Sequence, residues 1–285
     1  MKKAVIGIIY SGRITNDEKF LVELSKKKKV SIVFINTDDR FDEDALREKV
    51  GKCDIIYNSS AEDFSLEFVK MIEEWGKKII EPSDSFYYTE DKWMFYLKCE
   101  EHKIPVPKTI LLSQNISHAK KELEDFNSWP VVLKRVSGTM GEYVESAGNT
   151  RQAEKVMKKF WEHGAERLPI IAQEMIKSPG CFRVTVMEGK IVQVAEKINK
   201  SGWKATGVYA KKNAKIVPDA ELKNIIKKLM KFVKIKICGV DLLKKGGKWV
   251  VLEVNSDPAF DFLIEERKEM VGKAIDVLKK EARKR

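Results

Sequence analysis

Two apolar stretches near the end of the chain decide the fold: Gly239-Val240-Asp241-Leu242-Leu243 and Trp249-Val250-Val251-Leu252-Glu253-Val254-Asn255. Apolar and polar side chains alternate in both, as in strands with one buried face, and Gly246-Gly247 lies in the turn between them. With a three-residue loop in which a glycine is left-handed, Asp241 lies opposite Glu253. This register places Val240 opposite Val254 and Leu242 opposite Leu252 on an apolar face, and puts Asp241, Glu253 and Asn255 on the other.

The polar face of this predicted hairpin carries neighbouring carboxylates, which repel each other unless a cation lies between them. Oxygen ligands of this kind suit Mg²⁺, which takes one or two protein carboxylates together with phosphate oxygens. The alternative is an amphipathic hairpin whose polar face meets water. The run Glu253-Val254-Asn255-Ser256-Asp257-Pro258 places polar groups at the end of a strongly apolar strand, and this favours a site.

A second candidate is a predicted strand, Val131–Val136, that carries Lys134 and leads into Ser137-Gly138-Thr139-Met140-Gly141. Backbone amides and hydroxyls in such a loop can surround phosphate oxygens, and the lysine adds a positive charge. The alternative is an ordinary hairpin turn, which the loop taken alone favours.

Two weaker candidates lie on either side of this strand. The apolar run Ile170–Ile176 is interrupted by Gln173-Glu174 and could hold an adenine ring, although a strand edge turning outward explains it equally well. Asp91-Lys92 opens a predicted helix, where an aspartate is a normal capping residue.

The first third of the chain alternates strands with amphipathic helices, which predicts a small parallel sheet with helices on its faces. No GxGxxG motif follows the first strand, so the sequence gives little support for a dinucleotide site there. The predicted strands are Ala4–Tyr10, Val30–Asn36, Asp54–Asn58 and Lys78–Ile80, and the predicted helices are Asp17–Ser25, Asp42–Val50 and Phe64–Trp75.

A helix from about Glu90 to His102 is predicted next, and it ends before Ile104-Pro105-Val106-Pro107 because two prolines forbid its continuation. Beyond it, strands adjacent in sequence with helices set apart predict an α+β unit. The predicted strands are Val131–Val136, Tyr143–Ser146, Ile170–Gln173, Arg183–Met187, Lys190–Glu196, Ile237–Leu243 and Trp249–Val254, and the predicted helices are Arg151–His163, Asp219–Val233 and Phe262–Lys280.

Composition narrows the function classes. The 285 residues include 43% hydrophobic ones, enough for more than one buried core, and no apolar run approaches the length of a membrane helix. The amino-terminal stretch lacks a clear signal-peptide cleavage site, so we expect a cytoplasmic protein without a membrane partner. The formal charge of +11 is spread along the chain and mixed with acids, so we expect no nucleic-acid partner; attraction of an acidic substrate or partner is a second possibility.

Taken in order, these motifs resemble the ATP-grasp superfamily, and within it the RimK-like carboxylate–amine (amino-acid) ligases. The resemblance spans essentially the whole chain and implies an ATP-grasp fold with α/β and α+β parts. An N-terminal preATP-grasp domain would occupy residues 1–82. An ATP-grasp domain would follow at 83–285, with a central lid subdomain at about 108–174 and a C-terminal subdomain at about 175–285 that sandwich ATP.

The resemblance also implies a role for each matching residue. One or two Mg²⁺ ions, with Mn²⁺ as an alternative, would bridge the phosphates, and Arg183 would face the reacting groups. Lys197 is taken as the catalytic lysine of the acceptor side, with Lys204 and Lys211 as alternatives. The ATP-binding residues would be Lys92, Lys134, Ser137, Gly138, Thr139, Met140, Gly141, Gln173, Glu174, Met175 and Ile176, and the metal ligands would be Asp241, Glu253 and Asn255.

The chain departs from the family pattern mainly on the acceptor side. Cys181 stands where the family has an aspartate, Trp203-Lys204-Ala205-Thr206 replaces a loop with an arginine and an asparagine, and Pro258-Ala259 replaces Pro-Gly. Glu142-Tyr143 follow Gly141, where the family usually has another glycine. These changes affect the expected substrate more than the expected nucleotide.

The activity implied by the resemblance is amide formation through an acyl phosphate, with transfer of the γ-phosphoryl group to a carboxylate and attack by an amine. Glutamate, another amino acid, or an acidic carrier protein or peptide would be the partners, and a homodimer or homotetramer is a further expectation. The alternatives are a small-molecule kinase on the same fold and a nucleotide-binding regulator without catalysis.

Overall fold

The computed structural model describes residues 3–60, 63–138, 141, 143–162, 167–178, 180–198, 203, 212–260 and 263–284. Its strands form three sheets, drawn from three successive parts of the chain. The predicted domain boundaries at residues 82/83 and about 174/175 remain predictions, although no sheet crosses either position. No helix among these described residues is long and apolar enough to cross a membrane.

The first sheet is the predicted parallel one, with strand order β2-β1-β3-β4 and helices in the connections. Its helices begin at the residues that chemistry favours: the Thr15 hydroxyl and the Glu18 carboxylate form a reciprocal capping box, and Asp42 caps the next helix. The elements are β1 (Ala4–Tyr10), α1 (Asn16–Lys27), β2 (Val30–Asn36), α2 (Glu43–Gly51), β3 (Ile55–Asn58), α3 (Asp63–Glu74) and β4 (Ile79–Ile80).

The junction after this sheet is held by Glu81, a buried residue with a left-handed φ of +62°. Its carboxylate accepts hydrogen bonds from the backbone N–H groups of Lys236 and Ile237, far along the chain. A 3₁₀ turn (Ser83–Ser85) and α4 (Phe86–Thr89) follow. The predicted helix from Glu90 begins instead at Lys92 as α5 (Lys92–Glu101), because the Asp91 carboxylate caps it by accepting from the N–H groups of Trp93 and Met94.

The second sheet is antiparallel, with strand order β5-β8-β6-β7 and two helices packed on one core. Strand β5 and helix α6 were not predicted, although α6 shows a helical spacing of Ile116, Ala119, Leu123 and Phe126 after the capping residue Asn115. The elements are β5 (Thr109–Leu112), α6 (Ile116–Phe126), β6 (Val131–Arg135), β7 (Val144–Ala147), α7 (Thr150–Trp161) and β8 (Ile170–Glu174).

The third sheet is antiparallel, with strand order β11-β10-β9-β12-β13, and it shares a core with α8 and α5. Strand β11 was not predicted. The predicted last helix from Phe262 starts later, with a 3₁₀ turn at Ile264–Glu266, and Phe262 itself lies outside the described residues. The elements are β9 (Cys181–Met187), β10 (Lys190–Ile198), β11 (Lys212–Lys215), α8 (Ala220–Val233), β12 (Ile237–Lys245), β13 (Lys248–Asn255) and α9 (Arg267–Ala282).

The last helix returns to the first sheet. Ile275 and Leu278 of α9 belong to the same buried cluster as Ile6 and Ile8 of β1, and Ile237 at the start of β12 completes it. Burial of apolar surface in this cluster therefore joins the first sheet to the third.

The hairpin of β12 and β13 corrects one part of the predicted register. Asp241 pairs with Glu253 and Val240 with Val254, as predicted, but Leu242 pairs with Val251 and not with Leu252. The loop has two residues, Gly246-Gly247, both with positive φ, so the strands pair one residue sooner than a three-residue loop allows. A β-bulge at Leu252 absorbs the extra residue and restores the pairing of the carboxylates.

Candidate active site

The polar face of the third sheet collects charged residues from three adjacent strands. Arg183 of β9 pairs with Asp241 of β12, which in turn pairs with Glu253 of β13. Lys197 of β10 reaches the same carboxylate from the far side of β9. Arg183, Asp241 and Glu253 therefore form one cross-strand row, the carboxylate row, and Lys197 reaches it from a neighbouring position on β10. The structure thus brings together both predicted catalytic residues and two predicted metal ligands.

Asp241 is the centre of this group, and both of its oxygens are bound. Arg183 donates from Nε to Oδ1 at 2.8 Å and from Nη2 to Oδ2 at 2.9 Å, and Lys197 Nζ donates to Oδ1 at 3.1 Å. Burial by itself raises the pKa of Asp241, but the charges of Arg183 and Lys197 outweigh it and hold the pKa below its usual range. The carboxylate is therefore ionised and charge-neutralised in this structure.

Gly239 makes room for the arginine. A Cβ atom placed on this glycine would lie 2.5 Å from Arg183 Nη1 and 2.9 Å from Arg183 Cδ, so the arginine side chain lies directly over the bare Cα. The residue has no positive φ, so the requirement for glycine here is one of space and not of backbone conformation. Gly239 belongs to the hairpin motif, but the arginine that needs this space lies far away along the chain, so the motif alone does not reveal the role.

Two buried polar atoms flank Gly239 in the cross-strand row next to the carboxylate row. Thr185 and Asn255 are its two strand partners, and Thr185 Oγ1 and Asn255 Nδ2 have no hydrogen-bond partner within the described residues. Buried polar atoms are normally paired, so both indicate a group that binds at this place. The Asn255 amide carries both an oxygen and an NH₂ group, and rotation about its last side-chain bond presents the oxygen at this place.

Asp241, Glu253 and Asn255 by themselves form an incomplete site for a divalent cation. Two carboxylates and an amide oxygen are the hard donors that Mg²⁺ takes, but Arg183 and Lys197 already neutralise Asp241. Among the described residues, no group of three or more His, Cys, Asp or Glu side chains converges on a point. The donor set therefore suits a metal ion that arrives with phosphate oxygens as its other ligands.

A cleft beside this row contains the two predicted phosphate-binding lysines. Lys134 Nζ donates to Gln173 Oε1 at 2.9 Å, and Gln173 Nε2 donates to Thr109 Oγ1 at 3.0 Å. Lys92 Nζ donates to the carbonyl of Gly138 at 2.8 Å, which ties α5 to the loop after β6. The cleft is lined by Lys92, Phe95, Tyr96, Val106, Pro107, Lys134, Ile171, Gln173 and Leu252.

The electrostatics of this cleft favour an anion. Desolvation lowers the pKa of Lys134, and the neighbouring charge of Lys92 lowers it further, while Glu253 opposes both effects. Two nearby ammonium groups in a partly apolar cleft are stabilised by a phosphate group that pairs with both. Aromatic side chains of Phe95 and Tyr96 on the same wall suit a flat ring.

Leu252 connects the cleft to the carboxylate row. The bulge takes it out of the pairing with β12, and its side chain lines the lysine cleft instead of the buried core face. Glu253, the next residue, faces Asp241. The predicted apolar role of Leu252 in the core was therefore wrong.

Glu174, Met175 and Ile176 lie at the end of β8 but do not line this cleft. Glu174 accepts from Lys245 Nζ at 2.7 Å and from the backbone N–H of Lys108 at 3.0 Å, and the N–H of Met175 donates to the carbonyl of Pro130. Ser137, Gly138 and Gly141 follow β6, whereas Thr139 and Met140, like the acceptor-side alternatives Lys204 and Lys211, lie outside the described residues.

The three sheets, with a lysine cleft beside a carboxylate hairpin, define an ATP-grasp enzyme, and solved structures share this fold. The ATP-grasp RimK domain protein of Sphaerobacter thermophilus matches with a TM-score of 0.78 and 17% identity, covering 96% of this chain and 99% of that chain. The D-alanine–D-alanine ligase of Bacillus anthracis matches with a TM-score of 0.75 and 17% identity, covering 98% and 97%. The predicted fold class is confirmed.

The chain belongs to the RimK-like ATP-grasp domain family, whose model matches residues 89–278. Coenzyme gamma-F420-2:alpha-L-glutamate ligase of Methanococcus maripaludis is 25% identical over 236 residues, which cover 79% of this chain and 78% of the relative. A probable alpha-L-glutamate ligase of Haemophilus influenzae is 24% identical over 210 residues, which cover 73% and 68%. The protein is thus an ATP-dependent carboxylate–amine ligase, as predicted.

Proposed function

We propose that this enzyme uses ATP and Mg²⁺ to join the amino group of L-glutamate to the carboxylate of a second substrate. Sequence relatives carry the name alpha-L-glutamate ligase, which supports glutamate as the amino acid. A peptide is a second form that the carboxylate substrate could take, because ATP-grasp ligases of the same fold have been solved with precursor peptides.

The observation that carries this proposal is the position of the β-bulge. It turns Leu252 into the lysine cleft while Glu253 stays opposite Asp241. One strand thus supplies an apolar surface for an adenine ring and, at the next residue, a carboxylate for the ion that accompanies the phosphates. This is the arrangement that Mg-ATP requires, with the base in an apolar slot and the charged groups beyond it.

Each site residue has a role that its surroundings support. Lys92 and Lys134 bind phosphate oxygens, and Gln173 positions the Lys134 ammonium group. Asp241, Glu253 and Asn255 hold Mg²⁺, for which Mn²⁺ would substitute, and the ion stabilises negative charge on the transferred phosphoryl group when bound. Arg183 and Lys197 orient the carboxylate substrate and stabilise the charge that develops on it.

Binding of the metal ion depends on the nucleotide in this proposal. Arg183 and Lys197 occupy both oxygens of Asp241, so a metal ion alone gains little from this carboxylate. Phosphate and substrate oxygens give the two cations other partners and free Asp241. We therefore expect Mn²⁺ alone to bind the protein weakly and the complex of Mn²⁺ with a non-hydrolysable ATP analogue to bind it tightly. Electron paramagnetic resonance measures the first as loss of the free Mn²⁺ signal, and the second as a change in the spectrum of the Mn²⁺–analogue mixture when protein is added.

The proposed function is tested by ADP release from Mg-ATP across a panel of carboxylates, each with L-glutamate, followed by mass analysis of the product. An amide mass in the wild-type protein, and no ADP in Asp241→Asn and Glu253→Gln, is the expected result. Lys248→Met is a matched control, because this exposed lysine lies in the same hairpin, outside the carboxylate row. A stable phosphorylated product without amine dependence would replace the ligase by a kinase.

A further inference from the structure

Asp257 is a carboxylate outside the site described so far. It lies two residues beyond the end of β13, after the buried residue Ser256, and its side chain is partly exposed. A small ligand can therefore reach it from solvent. Asp257 also directly precedes Pro258-Ala259, which stands where the family has Pro-Gly on the acceptor side.

The surroundings of Asp257 join the first sheet to the third. Ser59 donates its hydroxyl to Asp257 Oδ1 at 3.1 Å, and its backbone N–H donates to the carbonyl of Ile9 at the end of β1. Ser11 and Ser60 are within hydrogen-bonding distance at the same edge. The carboxyl edge of a parallel sheet is where ligands commonly bind, and here it faces the end of the metal hairpin.

The charge near Asp257 is more negative than the charge in the lysine cleft. Glu18 and Asp17, at the start of α1, add negative charge at this carboxylate, and Arg183 of the carboxylate row adds positive charge. Asp17 is partly neutralised by an ion pair with Arg267 at 2.6 Å. The site therefore has a positive end at Lys92 and Lys134, a balanced centre at Arg183 and Asp241, and a negative end at Asp257.

Two unpartnered polar atoms lie in the chain segments that meet at the Ser59–Asp257 hydrogen bond. Ser256 and Asn58 are each 1% exposed, and Ser256 Oγ and Asn58 Oδ1 have no hydrogen-bond partner within the part of the chain that is described. Each lies next in sequence to one member of the Ser59–Asp257 contact. Buried polar atoms are normally paired, so these segments have unused hydrogen-bonding capacity where the Asp257 carboxylate meets the first sheet. A carboxylate accepts hydrogen bonds from a donor-rich ligand such as an ammonium group.

We propose that Asp257, together with Ser59, binds the amino group of the amino-acid substrate and holds it at the end of the cleft opposite the phosphates. This assignment rests on the proposed function and adds to it the residue that recognises the amine. The ammonium group of an amino acid is positively charged and complements the negative end of the site at Asp257. The phosphates are bound at the positive end, by Lys92 and Lys134. Arg183 lies between the two, where the carboxylate must be activated.

The test compares a charged amine with an uncharged one. Hydroxylamine is neutral at neutral pH and intercepts acyl phosphates as hydroxamates, so its use does not require a carboxylate that binds an ammonium group. With the carboxylate that gives ADP release, Asp257→Asn should raise the KM for L-glutamate at least about 10-fold, as expected for loss of one hydrogen bond between charged groups. The KM for ATP and the rate of hydroxamate formation should change less than about 2-fold on the same reasoning.

Two further variants guard against a purely structural effect. Ser59→Ala, which keeps the carboxylate and removes its support, should raise the KM for L-glutamate by a smaller factor. Asp276→Asn is the matched control, because this exposed aspartate of α9 pairs only with Lys28 among the contacts described and should leave both reactions unchanged.

Three outcomes would overturn the assignment. Equal losses of glutamate and hydroxylamine reactions in Asp257→Asn would mean that Asp257 supports the fold and not the amine. An unchanged KM for L-glutamate would remove any role in amine binding. Absence of both hydroxamate and glutamate amide in the wild-type protein would instead refute the proposed joining of L-glutamate to a carboxylate, and the amine assignment with it.

Discussion

Replacement of Gly239 by alanine tests the geometry of the carboxylate row. The new Cβ would lie 2.5 Å from Arg183 Nη1, 2.9 Å from Cδ and 3.2 Å from Cζ. The arginine cannot simply swing away, because two hydrogen bonds of 2.8 and 2.9 Å hold its guanidinium group on Asp241. The substitution therefore forces either the strands or this buried ion pair to move.

The size of the effect follows from these contacts. A hydrogen bond between charged groups contributes about 1.5–3 kcal/mol, and moving Arg183 weakens at least one of the two. Alanine is favoured over glycine within a strand by about 0.5–1 kcal/mol, which acts in the opposite direction. We expect a net loss of about 2 kcal/mol in the free energy of unfolding, equivalent to a melting temperature lower by about 4–8 °C for a chain of this size.

The assay is thermal unfolding of the variant beside Gly51→Ala. Gly51 ends α2 and has no positive φ, and a Cβ atom placed on it would have no neighbour within 4 Å, so its substitution should leave the melting temperature unchanged or slightly higher. The same two substitutions in an Arg183→Ala background complete a double-mutant cycle. Without the guanidinium group, Gly239→Ala should no longer lower the melting temperature.

Two results would refute this reasoning. A wild-type melting temperature for Gly239→Ala would mean that the arginine does not lie over Gly239. An equal cost with and without Arg183 would mean that the added methyl group meets a different neighbour.

Three further predictions concern groups outside the row of Arg183, Asp241 and Glu253. Burial raises the pKa of Glu81 from 4.5 to about 8, although its backbone hydrogen bonds act in the opposite direction. The contribution of Glu81 to the free energy of unfolding is therefore complete below about pH 4.5 and is lost as the pH rises through about 8. Glu81→Gln should therefore gain melting temperature relative to the wild type across that range; a pH-independent difference would contradict this. Gln173→Leu removes the acceptor of Lys134 and should weaken ATP binding about 3- to 10-fold by calorimetry. An unchanged Kd would show that Lys134 is positioned otherwise. Lys245→Met breaks an ion pair with Glu174 whose lysine is 52% exposed, so we expect a stability change below about 1 kcal/mol in urea unfolding, and a larger one would indicate a tight contact between the second and third sheets.

The sequence predicted most of the elements because their signals are local. Alternating apolar residues identified nearly every strand, and capping residues with apolar spacing identified most helices. The missed strands β5 and β11 are short, whereas helix α6 was missed although its apolar spacing and the capping residue Asn115 are present in the sequence. Strand β11, Lys-Asn-Ala-Lys, has no apolar face of its own, and it forms by pairing with the edge of β10.

The register of the β12–β13 hairpin was only partly predictable from residues close together in the sequence. Alternation predicted correctly that Asp241 faces Glu253, but the loop is one residue shorter than predicted and the one-residue bulge was not predicted. These two errors cancel at the carboxylates and not at Leu252. Pairing of strands depends on the whole sheet, and the sequence of β13 alone does not predict the bulge that places Leu252 in the lysine cleft.

By itself the sequence determined the class of fold, the order of its motifs and the pairing of one carboxylate with another, because each motif is a short run of neighbouring residues whose pattern is visible without the structure. Only the tertiary structure decided which partners those groups meet. Asp241 binds Arg183 and Lys197, which are 58 and 44 residues away, and Ser59 binds Asp257 across 198 residues. Such contacts depend on how the three sheets pack. Burial of apolar surface brings the sheets together, and a charged side chain that becomes buried is stable only when it is paired with a group that the packing brings close to it.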